Sequence, residues 1–523
     1  MSLVRNVGTI GGLTLVSRIF GFARDMLLAR VLGAGGVADA WQLAFQLPNI
    51  FRRLFAEGAF ASAFVPLFNR RMGTDGELTE ARRFADEVMA VLIPILIVFS
   101  ALALIAMPWI AGLFANEGME GDPELFDLAV RMARLAFPYL AFMSLATVFA
   151  AVLNSLSRFA AAAAAPILLN VCMVAVLVWG FVQPDSTDLR QNVGMLLGVA
   201  VTVSGLLQLI WLGWFAARHG FRIRLARPRM TGGVKELFIL IGPAVLGAGV
   251  YQISRFIDLF FLATLPDGSY TFLAMADRLN QMPMGIIAIA LGTAILPSLS
   301  RFVAQDKPDE AARLQGNAVE LALLLTLPAA VALYICGSAF TRAFYAGGAF
   351  TLDNALATGA VVSALVVGLP AYVLVKVLIP SFFARKDTRT PVYTAGASLL
   401  VNVVLNFLLV PRLGVQGLAL AGSLAAWCNA GALYAILAAK GHYRITALSL
   451  GRIGRTLLAT AVMGAALWFA MPLGDPYYAA GALERVGAVA ALVAAGGVVY
   501  LLAAIVLGVV DKQTIAQLKR RPA

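Results

Sequence analysis

The sequence predicts an all-α integral membrane protein with fourteen transmembrane helices. Of its 523 residues, 61% are hydrophobic and only 13% are charged, whereas a soluble protein carries roughly 25% charged residues. Apolar runs of about 20 residues, each long enough to cross a bilayer, recur from end to end. The predicted spans are 9–32, 39–67, 86–114, 128–153, 160–182, 193–217, 236–264, 271–300, 315–336, 354–383, 392–410, 416–438, 454–472 and 486–509.

The charges in the loops predict how these helices are oriented. With the N-terminus inside, the inner segments hold about 26 Lys and Arg residues and the outer loops about 4, which is the positive-inside pattern. The net charge of +12 therefore indicates membrane topology and not nucleic-acid binding. We expect a multi-pass membrane protein with both termini in the cytoplasm and no cleavable signal in the first helix.

Sequence echoes at a spacing of about 230 residues indicate an internal repeat of six helices. Because six helices return the chain to the same side, the two halves have parallel topology, as in many secondary transporters with a central substrate site. A duplication that served folding alone is the alternative. The echoes pair FVPLFNR (64–70) with ILPSLSR (295–301), FPYLAF (137–142) with LPAYVL (369–374), and, loosely, APILLNV (165–171) with residues 390–403.

The repeat predicts the organisation of the chain into lobes. The N-terminal lobe is expected over 1–220 and the C-terminal lobe over 221–440. Helices 13 and 14 and a cytoplasmic tail fill 441–523 as an appendix to the two lobes.

Motifs for nucleotide hydrolysis and for common hydrolytic chemistry are absent. The sequence has no GxxxxGK[ST] and no GxSxG, and His219 and His442 are its only histidines, which excludes HExxH. A membrane enzyme acting on a lipid-linked sugar is an alternative that needs a paired acid and base or a metal-binding carboxylate cluster. Asp25, Asp39 and Glu57 could supply the carboxylates, but arginines outnumber them. We therefore predict a transporter.

The first two helices carry charges that are costly in hydrocarbon. An isolated charge there costs about 3 to more than 10 kcal/mol, so such residues face a water-filled cavity or one another. Arginine's planar fork binds phosphate bidentately and stays charged, which favours a phosphate or pyrophosphate site. The predicted substrate-binding residues are Arg18, Arg24, Asn49 and Arg52, with Arg278 from helix 8. The predicted gating or ion-pairing residues are Asp25, Asp39, Arg53 and Glu57.

Simple ion pairing within the protein is the alternative for each of these residues. On an ideal helix Arg18 and Asp25 share a face, whereas Arg24 lies about 120° away. Arg18 could therefore pair with Asp25, and Arg52 with Glu57, while Arg53 extends to the membrane interface. The excess of arginine over acid leaves positive charge that such pairing does not neutralise.

A second polar group, in helices 7 and 11, suggests a site for sodium or a proton. Asp258 lies mid-helix, and Asn402 and Asn406 share a face because they are four residues apart. The alternative is that Asp258 pairs with Arg255 one turn earlier and that the asparagines hydrogen-bond between helices. No other cofactor is expected, and the membrane potential is a second candidate driving force.

The opening segment TLVSRIFGFARDMLLARVLGAGGVADAWQLAFQLPNIFRRLFAEGAFASAFVP closely resembles that of the MurJ (MviN) family of lipid II flippases. The resemblance continues in YTFLAMADRLNQMPMGIIAIALGTAILPSLSR and GLPAYVLVKVLIPSFFARKDTRTPV. It implies two six-helix lobes around a cavity, with helices 13 and 14 forming a lipid-facing groove. It also implies alternating access that carries the undecaprenyl-pyrophosphate-linked peptidoglycan precursor from the inner to the outer leaflet.

The resemblance also implies roles for individual residues. Family arginines important for function match Arg18, Arg24, Arg52 and Arg278, and family acids match Asp25 and Asp39. Some members bind sodium at positions that match Asp258, Asn402 and Asn406. Some members have an acid where Asn406 stands, and Arg255 departs from the family pattern, so this chain has less negative charge there.

The resemblance implies lipid II and membrane lipids as partners, no nucleic acid, and a monomer. Cell-wall synthesis proteins are a further candidate partner. The alternatives within the same superfamily are another polysaccharide-lipid flippase and a drug/cation antiporter. A cationic-drug antiporter would line its cavity with acids and aromatics, whereas this sequence favours arginine.

Overall fold

A computed structural model describes residues 3–55, 59–72, 78–222, 224, 227–478 and 480–509. This part of the chain is helical, without a strand, and holds one isolated bridge between Gly347 and Phe350. Nine of its helical segments are long and apolar enough to cross a membrane. The predicted all-α membrane fold is therefore confirmed, and the count of fourteen helices stays a prediction.

The chain divides into two compact units. The first comprises Met1–Thr271 with Gly347–Phe350, and the second comprises Phe272–Ala346 with Thr351–Ala523. The lobe boundaries drawn from the repeat stay a prediction. The helices are α1 (Leu3–Leu32), α2 (Gly36–Phe55), α3 (Ala59–Arg70), α4 (Thr79–Gly112), α5 (Glu117–Gly121), α6 (Pro123–Ala136), α7 (Tyr139–Ser155), α8 (Phe159–Phe181), α9 (Thr187–Arg218), α10 (Gly232–Ala263), α11 (Ser269–Ala304), α12 (Pro308–Phe344), α13 (Leu352–Val366), α14 (Leu369–Phe383), α15 (Arg389–Ala439), α16 (Ala447–Ala470), α17 (Asp475–Tyr478) and α18 (Ala482–Val506), with a 3₁₀ turn over Met471–Gly474.

Two predicted spans are interrupted at matching places of the repeat. The span over 128–153 is divided between α6 and α7 at Phe137 and Pro138, and the span over 354–383 between α13 and α14 at Val367 and Gly368. Pro138 immediately precedes α7 in one case, and Pro370 is the second residue of α14 in the other. Proline lacks the N–H donor that a continuous helix requires, so each span is built from two shorter helices.

At the predicted boundary between spans 11 and 12, by contrast, the structure has one helix where the sequence predicts two. Helix α15 runs over both, and Gly414 alone has non-helical angles, φ 56° and ψ −136°. A Cβ on Gly417 would lie 2.4 Å from the Leu409 carbonyl oxygen. Glycine therefore permits both the left-handed backbone and the close approach in this sharp turn.

Aromatic stacking fixes the helices at one end of the first unit. Phe60, Phe64 and Phe68 stack along α3 at centroid distances of 5.3 and 5.6 Å, and Phe84 of α4 lies 5.4 Å from Phe64. Phe221, fully buried, meets Phe68 edge-on. Because lipid is as apolar as these rings, the gain comes from close packing and not from escape from water.

Candidate functional site

The predicted first-helix charges form a buried hydrogen-bonded cluster with α8. Arg24 donates from Nε and Nη2 to Asp25 Oδ1, at 3.0 and 2.7 Å, and from Nη1 to Asn170 Oδ1 at 3.0 Å. Asn170 Nδ2 in turn donates to the Ser17 carbonyl at 3.0 Å. Arg24 and Asp25 are each only 6% exposed, so the guanidinium is held between a carboxylate and an amide inside the first unit.

This cluster differs from the pairing expected on an ideal helix. Asp25 pairs with Arg24 and not with Arg18, which is exposed on α1. Adjacent residues do not normally face each other on a helix, but the long arginine side chain folds back onto its neighbour. Arg24 therefore carries no uncompensated charge, and Arg18 stays available at the surface.

Helix α2 brings two further predicted substrate residues into contact with each other. The Arg24 guanidinium carbon lies 5.9 Å from the centre of the Phe45 ring, and the Phe45 carbonyl accepts a 2.7 Å hydrogen bond from Asn49 Nδ2. Asn49 Oδ1 accepts from Arg52 Nε at 3.4 Å. Contacts thus lead from Arg24 through Phe45 to Asn49 and Arg52, and Arg52 is half-buried.

The remaining predicted residues of this group are Arg53, Glu57 and Arg278. Arg53 is exposed near the end of α2, and Glu57 lies outside the described residues. Arg278 is half-buried on α11 in the second unit. Its neighbour Asp277 accepts a 2.6 Å hydrogen bond from Gln281 Nε2.

The structure assigns Asp39 to a helix terminus and not to the predicted ion pair. Its Oδ2 accepts from the Gly268 N–H at 2.7 Å and from Asn116 Nδ2 at 3.2 Å. Its Oδ1 accepts from the Thr271 N–H at 3.0 Å and hydroxyl at 2.7 Å. Asp39 is fully buried, and it satisfies N–H groups at the start of α11 that lack partners within the helix. In this conformation neutral donors fill the carboxylate, and a gating role for Asp39 stays a prediction.

Two of the three residues predicted to bind a cation meet in the second unit. Asn406 Nδ2 donates to Asn402 Oδ1 at 3.3 Å, and both side chains are buried. Asn406 Oδ1 has no hydrogen-bond partner. A buried amide oxygen without a donor suits a hard monovalent cation. Asp258 is half-buried on α10 in the first unit, and Arg255 is also half-buried.

No group of three or more His, Cys, Asp or Glu side chains suited to a metal ion occurs in the described parts of the chain. The donors available at the predicted cation site are therefore mainly neutral oxygens. Binding of sodium or a proton at this site stays a prediction.

Three residues of these networks were missed at the sequence level. Asn170 binds Arg24, and Asn116 and Thr271 bind Asp39. An asparagine inside the apolar run of α8 was a usable signal, because a polar group in a membrane helix needs a partner. Asn116 and Thr271 lie near helix ends, where such residues are common, and they carried no comparable signal.

A family model described as lipid II flippase MurJ matches residues 28–488. A probable lipid II flippase MurJ of Rhizobium meliloti (strain 1021) is 42% identical, covering 100% of this chain and 97% of its own length. The chain belongs to the MurJ family. A lipid II flippase MurJ of Burkholderia cenocepacia is 33% identical, covering 85% of both chains. The resemblance found in the opening segment is confirmed, as is the prediction of a membrane transporter and not an enzyme.

Solved structures place the fold in the same group. A structure titled lipid II flippase MurJ, inward closed conformation, matches with a TM-score of 0.75 at 22% identity, covering 95% of this chain and 98% of that one. An inward-facing multidrug resistance MATE family transporter of the MOP superfamily matches with a TM-score of 0.66 at 13% identity, covering 83% and 97%. At these identities the matches support the fold alone.

Proposed function

We propose that this chain translocates lipid II, the undecaprenyl-pyrophosphate-linked peptidoglycan precursor, from the inner to the outer leaflet of the bacterial cytoplasmic membrane. Family membership and the full-length relatives named lipid II flippase support the substrate. The observation that carries the proposal is the buried guanidinium of Arg24, held by Asp25 and Asn170. An arginine kept inside an apolar helix bundle marks a path for a polar substrate.

The geometry suggests how a pyrophosphate engages this cluster. Arg24 donates two of its N–H groups to the single oxygen Asp25 Oδ1, an arrangement weaker than a fork on two oxygens. A pyrophosphate offers paired oxygens and more negative charge, so it competes with Asp25 for Arg24. The proposed substrate set also includes Arg18, Asn49, Arg52 and Arg278.

Alternating access requires that ion pairs within the protein break and form as the substrate binds and leaves. When pyrophosphate occupies Arg24, we expect Asp25 to form a new ion pair, for which exposed Arg18 is our candidate. Asp39 holds the first turn of α11 in this conformation, and its release is proposed as part of reopening. Arg53 and Glu57 stay in the proposed gating group.

The driving force is proposed as a monovalent ion or the membrane potential. The unpartnered Asn406 Oδ1 supports sodium, with Asn402 and Asp258 as further ligands. A potential of 100 mV contributes about 2.3 kcal/mol for each charge moved. Cytoplasmic termini, a monomeric state and contacts with cell-wall synthesis proteins belong to the same proposal.

A leaflet-specific accessibility assay for lipid II tests the function. In a flippase-depleted strain, Arg24→Ala and Arg278→Ala should leave the precursor in the inner leaflet and stop growth, at wild-type protein levels in the membrane. Arg131→Ala is the matched control, because Arg131 pairs with Asp127 in an exposed position. Normal growth and normal outer-leaflet lipid II in the Arg24 variant would overturn the assignment.

A further inference from the structure

The segment that connects α9 to α10 carries a concentration of positive charge that the transport proposal does not use. Residues 218–231 contain five arginines and no acid. All five arginines are exposed, and none forms a salt bridge within the described part of the chain. The arginines are Arg218, Arg222, Arg224, Arg227 and Arg229.

The nearby acids Asp86 and Glu87 accept hydrogen bonds from other donors and, among the described residues, form no salt bridge with these arginines. Buried Asp86 accepts a 2.8 Å hydrogen bond from the backbone N–H of Arg224, not from its guanidinium. Glu87 accepts from the Thr231 hydroxyl at 2.8 Å and from Arg83 Nε at 3.3 Å. The backbone of the connecting segment is therefore anchored on α4, while the guanidinium groups remain outside.

Two further contacts hold the start of the segment at the end of α9. Arg82 donates to the Gly220 carbonyl, and Phe221 is fully buried against Phe68. The Arg218 guanidinium carbon lies 4.0 Å from the centre of the Trp214 ring. Tryptophan is enriched at the level of lipid headgroups, so this contact marks the depth at which the arginines emerge.

The loop between α11 and α12 provides a contrast on the same predicted side of the membrane. Residues 301–313 contain three cations, Arg301, Lys307 and Arg313, and three acids, Asp306, Asp309 and Glu310. Its charges balance, and Arg313 lies 3.7 Å from Glu310. The 218–231 segment therefore carries a net positive charge that this loop lacks.

We propose that the 218–231 segment binds the phosphate headgroups of anionic lipids in the cytoplasmic leaflet. Arginine matches phosphate through paired N–H donors, and each cation near such a surface contributes about a fivefold gain in affinity. The segment links two membrane helices of the first unit, so bound lipid holds that connection at the membrane surface. The proposal depends on the predicted orientation and is independent of lipid II transport.

Lipid retention by the purified full-length protein tests this site. Detergent-solubilised protein is equilibrated with equal amounts of phosphatidylglycerol and phosphatidylcholine, and the lipids that stay bound are counted by native mass spectrometry. Wild type should retain phosphatidylglycerol preferentially, and 0.5 M salt should reduce that preference. The variant R222Q/R224Q/R227Q/R229Q should lower the preference at least about fivefold, which corresponds to loss of one headgroup contact.

Two control variants make the result decisive. R301Q/K307Q/R313Q removes three cations from the balanced loop and should keep the wild-type preference. R222K/R224K/R227K/R229K keeps the charge and should also keep most of the preference, which shows that the segment tolerates substitution. Equal losses in the balanced-loop variant and the glutamine variant, or no preference in wild type, would overturn the proposal. An acidic protein partner for these arginines would give that second outcome.

Discussion

The two units use asparagines at corresponding positions of the predicted repeat in different ways. In the first unit Asn170 accepts from Arg24 and donates to the Ser17 carbonyl, so both ends of its amide are occupied. In the second unit Asn402 accepts from Asn406, and the Asn406 oxygen is buried without a donor. Asn170 thus binds an arginine of the protein itself. Asn402 instead binds a second amide, that of Asn406, whose own oxygen has no donor.

The difference shows how a duplicated framework can serve two charge requirements. Under the proposed function, the first unit supplies positive charge for an anionic headgroup, and Asp25 neutralises that charge when no substrate is bound. The second unit supplies neutral oxygen, which favours an external cation. In both cases the asparagine tolerates the membrane interior only because part of its amide is hydrogen-bonded.

The largest expected effect comes from removing Asp25 from the first-unit cluster. Asp25→Ala leaves the Arg24 guanidinium buried without its carboxylate, although Asn170 Oδ1 still accepts a hydrogen bond from it. Breaking a buried pair in this way costs about 3–5 kcal/mol. Thermal unfolding in detergent measures the loss. The double variant Arg24→Met/Asp25→Leu should recover most of the stability and still fail to transport lipid II. A double variant as unstable as the single one would show that the pair is not what limits stability.

Asp39 tests whether a carboxylate satisfied by neutral donors behaves differently from Asp25. Asp39→Asn puts an NH₂ donor toward either the Gly268 and Asn116 donors or the two Thr271 donors. Unsatisfied buried donors cost about 1–3 kcal/mol each, so the free energy of unfolding should fall by roughly 2–4 kcal/mol. Hydrogen exchange at the start of α11 should also rise. Unchanged exchange there would contradict the capping role.

Sequence reasoning found the charged residues of the site more readily than their partners. Arginines and acids in apolar helices are visible because they are costly there, and this identified Arg24, Asp25 and Arg52. Asn170 lies 146 residues from Arg24, and only packing brings the two together. Chain spacing alone therefore favoured Arg18 as the partner of Asp25.

Asp39 illustrates the limit of residue patterns more strongly. Two of its four donors are backbone N–H groups, one of them 229 residues away. Every residue except proline carries such a donor, so no residue type reveals it. By contrast, the breaks beside Pro138 and Pro370 and the turn at Gly414 follow from the special backbone properties of proline and glycine. The sequence echoes and the predicted span boundary lie close to these residues.

One matched pair of variants tests whether Asn170 and Asn402 contribute differently to stability. Asn170→Ala removes an acceptor from Arg24, and hydrogen bonds to charged groups contribute about 1.5–3 kcal/mol. Asn402→Ala removes an acceptor from a neutral amide, for which about 0.5–1.5 kcal/mol is expected. Unfolding of both variants in one detergent should therefore rank Asn170→Ala as the more damaging. The reverse order would mean that the second-unit pair is the more strongly used.

The effect of sodium on the melting temperature tests whether the Asn406 oxygen binds this ion. If Asn406 Oδ1 binds sodium, wild-type protein should melt at a higher temperature in NaCl than in KCl of equal concentration, because a ligand stabilises the state that binds it. Asn406→Leu should remove that difference, and Asn406→Asp should enlarge it by adding charge. The stabilisation at a salt concentration ten times the dissociation constant is about 1.4 kcal/mol. Equal melting in the two salts for all three proteins would rule out sodium at Asn406.

The smallest effect is expected where ion pairs lie outside the membrane spans. Asp387 accepts from Lys440 Nζ at 2.9 Å and from the Thr390 N–H and hydroxyl at 3.0 and 2.7 Å. These contacts, led by the Thr390 N–H, hold the pKa of the Asp387 carboxyl well below its ordinary value of 3.8. A lowered pKa means that the stabilisation is complete above about pH 4 and is lost as the pH falls through the folded-state value.

Asp387→Asn should therefore lower the free energy of unfolding at pH 7 by no more than about 1 kcal/mol, since exposed pairs are weak. The gap between wild type and variant should narrow as the pH falls below about 4, because the unfolded chain then binds a proton at Asp387 while the folded protein still holds this carboxylate charged. Arg24→Met/Asp25→Leu serves as the internal comparison, because it alters the buried pair and leaves the Asp387 pair intact. A gap for Asp387→Asn that widened toward low pH would show that Asp387 is stabilised in its protonated form, contrary to the bonds it accepts here.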